Sequence, residues 1–103
     1  GLMRRAAKTD ENQGEIVAAL RLVGCSVLPL HAVGKGCPDL LVTDVNKSTF
    51  LMEVKDGAKP PSARKLTPDQ VEFHASWRGR IVIVTSVREA LDAVGISASG
   101  WVS

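Results

Sequence analysis

The sequence predicts an α/β domain with element order αβββαβα, a small mixed sheet with helices on both faces. Three observations carry that reading. Ile16, Val17, Leu20 and Val23 recur at spacings of three and four, which makes one apolar helical stripe. Two β-prone runs flank Asp44-Val45-Asn46-Lys47-Ser48, whose residues favour a turn, so the runs pair as a hairpin. The nearly continuous apolar run Arg80-Ile81-Val82-Ile83-Val84-Thr85 follows a second helical segment and reads as a buried strand.

Size and composition are consistent with one domain. The chain has 103 residues, 45% of them hydrophobic and 23% charged. A domain this long buries about 65% of the surface that its unfolded chain exposes, enough to fold without metal or disulfide staples. The formal charge of +2 permits a polyanionic partner without demanding one. No apolar stretch approaches the ~18 residues of a membrane span. Residues 1–9 are expected to be a tail that lacks the apolar stretch of a signal peptide, with Gly1 and Leu2 an addition ahead of Met3. The single domain is expected over 10–103. Cys25 and Cys37 are too few for a disulfide framework, so the expected compartment is a reducing cytoplasm.

The first helix is expected from Asp10 to Val23, with Asp10 as N-cap and Gly24 just past its end. Ser26–Ala32 reads as a short strand, placed at a sheet edge by Pro29. Gly34-Lys35-Gly36 is a loop. Asp39–Thr43 and Thr49–Lys55 are the hairpin strands. Asp56–Leu66 carries Gly57, Pro60 and Pro61 with Lys59, Arg64 and Lys65, and reads as a basic loop. Thr67-Pro68-Asp69-Gln70 has the capping-box pattern and opens a helix running to about Arg78. Ser86 caps a last helix ending near Val94.

Strand alternation gathers the charged residues. Leu51, Glu53 and Lys55 share one face of the third strand, while Phe50, Met52 and Val54 share the other and can enter the core. Folding the hairpin about Asn46 and Lys47 sets Asp39 opposite residue 54, and a one-residue change in the turn sets it opposite Glu53 or Lys55. Two carboxylates and one ammonium then meet at the sheet's rim. Carboxylates are the hard oxygen donors that Mg²⁺ takes, alongside waters it retains. The Val54 carbonyl is the expected third protein donor. Such an ion polarises a phosphoryl oxygen and acidifies a water, while Lys55 orients that water or offsets charge growing at phosphorus. Zinc-type ligand spacing and phosphate-cradling glycine motifs are absent from the sequence, and no Ser/His/Asp or Cys/His spacing supports nucleophilic catalysis.

Pro38-Asp39 with Glu53-Val54-Lys55, fourteen positions on, resembles the PD-(D/E)XK nuclease signature. In the wider context of Gly36-Cys37-Pro38-Asp39-Leu40-Leu41-Val42, Leu51-Met52-Glu53-Val54-Lys55-Asp56-Gly57 and Leu66-Thr67-Pro68-Asp69-Gln70, the chain is similar to the VRR-NUC branch in its minimal phage and prophage form. The resemblance covers about Asp10 to Leu91. It implies a restriction-endonuclease-like core and a Mg²⁺- or Mn²⁺-dependent DNA endonuclease that breaks phosphodiester bonds and leaves a 5′ phosphate. It further implies a homodimer similar to Holliday-junction resolvases, encoded by a phage or prophage and working in the bacterial cytoplasm. The family's first helix usually gives an acid to the metal site; this chain has Gln13 there, expected to hold a water of the ion's shell, with Glu15 in reserve. Gln70 matches the family's later glutamine and is expected to contact water, metal or scissile phosphate. Lys35, Lys59, Ser62, Arg64 and Lys65 are the expected DNA grip.

Plainer readings stand beside these. Glu53 and Lys55 alone would be an ordinary ion pair, and Asp39 alone a turn residue. Gln13 and Gln70 each follow a capping residue by three positions and can close capping boxes. The basic loop can be a solvated face, Cys37 a small packed residue, and His31 and His74 packed or surface residues, although His74 shares a face with Gln70. Trp77 is expected in the core and Trp101 in the core or an interface. With no spare domain to read base edges, shape selection on a four-way junction is favoured over sequence selection. The alternatives are a nuclease of flaps, nicks or single strands, and a DNA-binding module that has lost turnover.

Overall fold

The computed structural model describes residues 11–96. The first helix, α1 (Gln13–Leu22), turns Ile16 and Leu20 inward to zero exposure. Its N-cap is Asn12, whose side chain makes no capping bond, so the helix starts two residues later than a cap at Asp10 would give. Gln13 is thereby the first helical residue and not the third, which removes its capping-box reading. The expected cap Asp10 lies outside the described residues. Val23 closes the helix and Gly24 follows at φ +95°, where a Cβ is disfavoured.

Four strands form one sheet in the order β1 (Ser26–Pro29), β2 (Leu40–Thr43), β3 (Thr49–Val54), β4 (Ile81–Val84). β1 is an edge, as Pro29 requires, and is shorter than expected: the chain turns from Leu30 to Val33 after that proline. β2 pairs antiparallel with β1 and β3, and β4 pairs parallel with β3. The hairpin register matches Leu40 with Met52 and Thr43 with Thr49. The turn sets it: Asp44 Oδ1 accepts from the Asn46 and Ser48 amides, and Lys47 adopts φ +68°.

Alternation then builds two faces. Leu40, Val42, Phe50, Met52, Val54 and Val84 join Ile16 and Leu20 in one core, closed by Ala90 and Val94 at the other helix on this face, α3 (Val87–Ala93). Ser86 caps α3 by accepting the Glu89 amide. On the opposite face lies α2 (Pro68–Ser76), reached through a 3₁₀ turn at Pro61–Arg64 inside the expected basic loop. The chain is a small mixed sheet with helices on both sides.

Two expectations fail together. β4 is an edge strand, with only Val84 buried and Ile83 49% exposed. Trp77 is likewise 49% exposed, stacked on Phe73 with ring centroids 5.4 Å apart, just past the end of α2. The shared reason is that α2 has only nine residues and buries none of them fully, so it covers its face of the sheet lightly. The apolar run over 80–85 reflects β-branched residues that suit a strand, not burial on both sides.

Candidate active site

The hairpin register, carried one residue beyond β2, brings Asp39 across from Glu53. This is the one-residue displacement of the turn that puts both acids on one face. Asp39 is anchored on both its sides: its carbonyl accepts the Leu30 amide at 2.8 Å, and its Oδ2 accepts the Val54 amide at 2.7 Å. The Oδ2 bond aims the carboxylate along the rim of β3. Glu53 is 1% exposed and Lys55 9%, so both charged groups require partners.

Helix α2 provides them. The Thr67 hydroxyl accepts the Gln70 amide, and Gln70 Oε1 accepts the Thr67 amide at 2.9 Å, so a capping box fixes the Gln70 side chain. From that position Gln70 Oε1 also accepts from Lys55 Nζ at 2.7 Å, and Nε2 donates to Glu53 Oε2 at 3.2 Å. The capping box thus holds the Gln70 side chain where it touches both Lys55 and Glu53. One turn later His74 Nε2 meets Glu53 Oε1 at 3.3 Å. Burial, then the Lys55 ammonium, hold the His74 pKa below the ordinary imidazole value. An ionised carboxylate only accepts, so with Glu53 in that form the contact requires a proton on Nε2.

Cys37 lies beside the same two acids. Burial raises its thiol pKa, and the charges of Glu53 and then Asp39 raise it further. Gly36, next to it, has φ +80°, and a Cβ there would stand 2.2 Å from the Asp69 carbonyl oxygen. The Gly34–Gly36 loop therefore packs its backbone on the start of α2, and the two acids and Gln70 share one corner of the molecule.

The other expected residues distribute unequally. Gln13 is buried, with Oε1 lacking a hydrogen-bond partner, on the helix packed against the Met52 and Val54 face. Its neighbour Asn12 donates to the carbonyls of Lys55 and Thr85 at 3.1 Å, tying the start of α1 to the ends of β3 and β4. Glu15 is exposed and lines a cleft of about 480 Å³ with Asp56, Thr85 and Arg88. Lys35, Lys59, Ser62 and Lys65 are exposed, whereas Arg64 is half-buried with an enclosed Nε. His74 bordered the expected site without a role in it; its i, i+4 spacing from Gln70 was the available signal. Asn12 had no local signal, because both its partners are distant in sequence.

Two carboxylates facing one another, with a lysine one alternation on, make a set of hard donors suited to a divalent cation. Among the described residues no group of three or more His, Cys, Asp or Glu side chains is gathered as a metal cage. An ion here would rest on few protein oxygens and keep waters, as Mg²⁺ does. No described helix is long and apolar enough to cross a membrane.

A comparison with solved structures finds a VRR_NUC domain with a TM-score of 0.58 and 24% sequence identity, covering 81% of this chain and 94% of that one. The fold is that of a VRR_NUC domain. Neither a scan of family models nor a search of curated proteins finds a match.

Proposed function

We propose that the chain is a VRR-NUC nuclease of the PD-(D/E)XK type, a divalent-metal-dependent DNA endonuclease. The carrying observation is the joined arrangement of Asp39, Glu53, Lys55 and Gln70 on a VRR_NUC fold. Asp39, Glu53 and the Val54 carbonyl are the groups that would hold Mg²⁺ or Mn²⁺. When bound, the ion supplies Lewis-acid polarisation of a phosphoryl oxygen and a more acidic water.

The chain's own groups do the rest. Lys55 keeps a donor on Gln70 and has two more N–H bonds to orient the attacking water or meet charge on the phosphoryl oxygens. Gln70 sets the distance between Lys55 and Glu53. Attack in line forms a bond from water oxygen to phosphorus and breaks the bond to the 3′ oxygen, which leaves with a proton as a hydroxyl. The product keeps a 5′ phosphate. Gln13 places a buried acceptor at the start of α1, where it holds a water and not the ion. Lys35, Lys59, Ser62 and Lys65 grip backbone phosphates from exposed positions, with Arg64 contributing from a half-buried one.

Backbone contacts of this kind position DNA without reading its sequence. We therefore propose selection by shape. A two-fold homodimer places two such sites on two strands, which suits a four-way junction. A phage or prophage origin and work in a bacterial cytoplasm complete the proposal. The second reading, a DNA-binding module with little turnover, is favoured by one observation: the first-helix position carries Gln13 and no acid.

The test incubates labelled four-way junction, flap, nicked, single-stranded and linear DNA with the protein in Mg²⁺, Mn²⁺ or EDTA. Metal-dependent scission, strongest on the junction and lost in Asp39→Ala and Lys55→Ala proteins, is the expected result. Scission confined to flaps, nicks or single strands would replace junction selectivity with the narrower alternative. Binding without scission under every metal would leave only the binding module.

A further inference from the structure

We infer that His74 is a positioning residue for Glu53, and that with Gln70 it clamps both carboxylate oxygens so that the group faces the ion in one fixed orientation. The inference rests on the proposed reading of Glu53 as a metal ligand and adds a residue to it.

Gln70 and His74 stand four apart on one face of α2, and each reaches a different oxygen of the same carboxylate. Gln70 Nε2 donates to Oε2 at 3.2 Å, and His74 Nε2 meets Oε1 at 3.3 Å. A carboxylate on a strand has a rotatable terminal torsion with broad preferences. Two donors from one rigid helix remove that freedom. His74 side-chain exposure is 16% against 1% for Glu53, so His74 closes the outer side of the site and is not part of the packed core. Groups that orient ligands in this way typically contribute 10–100-fold to metal affinity.

The test titrates Mn²⁺ into the full chain without DNA, by calorimetry, for wild type, Glu53→Ala, His74→Ala and His74→Gln. Gln is chosen because its amide nitrogen falls near the position of the imidazole Nε2. Scission of the DNA panel and DNA affinity in EDTA are measured on the same proteins. The expected result is roughly a tenfold or greater loss of Mn²⁺ affinity in His74→Ala, recovery of most of it in His74→Gln, and unchanged DNA affinity in EDTA. Glu53→Ala should remove the Mn²⁺ signal. An Mn²⁺ affinity for His74→Ala within about twofold of wild type, in protein that still cuts DNA, overturns the clamp and leaves the nuclease reading standing. Equal losses in His74→Ala and His74→Gln overturn it too, because hydrogen-bond donation would then not be the cause. Wild-type protein that binds Mn²⁺ with the expected His74 dependence but cuts no substrate overturns the nuclease reading and leaves the clamp. Wild-type protein that binds no Mn²⁺ overturns both.

Discussion

Replacing Gln70 with Met removes three hydrogen bonds while keeping a long, unbranched side chain of good helix propensity. Two of those bonds serve buried charged groups, Lys55 Nζ and Glu53 Oε2, which are 9% and 1% exposed as residues. A hydrogen bond to a charged group contributes roughly 1.5–3 kcal/mol, and water has limited access to replace it here. Simple addition gives about 3–6 kcal/mol. Lys55 and Glu53 can partly turn toward each other, and bonds in one network do not add, so we expect about 2–4 kcal/mol. Thr67→Ala is the control. It removes the hydroxyl that caps α2 but leaves the Gln70 amide in place, at a cost of about 1 kcal/mol. Urea denaturation measures both, with comparable m-values as the check that the unfolding reaction is the same. If Gln70→Met destabilises no more than Thr67→Ala, the side chain is only a helix cap, and the claim that it couples α2 to the strand acids is wrong.

Other outcomes follow from the same geometry. Cys37 should alkylate more slowly than a free thiol at pH 8, since burial and then Glu53 and Asp39 raise its pKa; Glu53→Gln should speed the reaction, read by mass spectrometry of the Cys37 peptide. Gly36→Ala places a methyl on the Asp69 carbonyl at a φ that L-residues avoid; it should cost about 2–4 kcal/mol in thermal or urea unfolding. Lys35→Ala should weaken binding to all DNA sequences alike and lower the slope of log affinity against log salt by about 0.9, measured by fluorescence anisotropy.

Much of this architecture was readable before any coordinates. The stripe of Ile16 and Leu20, the turn at Asp44–Ser48 and the box at Thr67–Gln70 are local patterns, and each formed the expected element. Alternation on β3 separated Glu53 and Lys55 from Met52 and Val54 with no further information. The register was harder: one residue in the turn decides whether Asp39 faces Glu53 or Val54, and that choice is made by the Asp44 side chain capturing two amides. Burial of β4 and Trp77 was misjudged because it depends on how much of the sheet a short α2 covers, a property of packing and not of local sequence. The start of α1 shifted for a similar reason. Asn12 donates its Nδ2 to Lys55 and Thr85, forty-three and seventy-three residues away, and its Oδ1, the atom that would cap the helix, accepts no bond. His74 shared a helical face with Gln70 in plain view, but only the fold brings that face to Glu53.

The most direct measurement is strand scission of a labelled four-way junction by wild-type and Lys55→Ala protein, each in Mn²⁺ and in EDTA. The account predicts cutting by wild type in Mn²⁺ alone, with 5′ phosphate ends, and its loss in Lys55→Ala despite retained junction binding. Equal cutting by the two proteins, or cutting that survives EDTA, would contradict it.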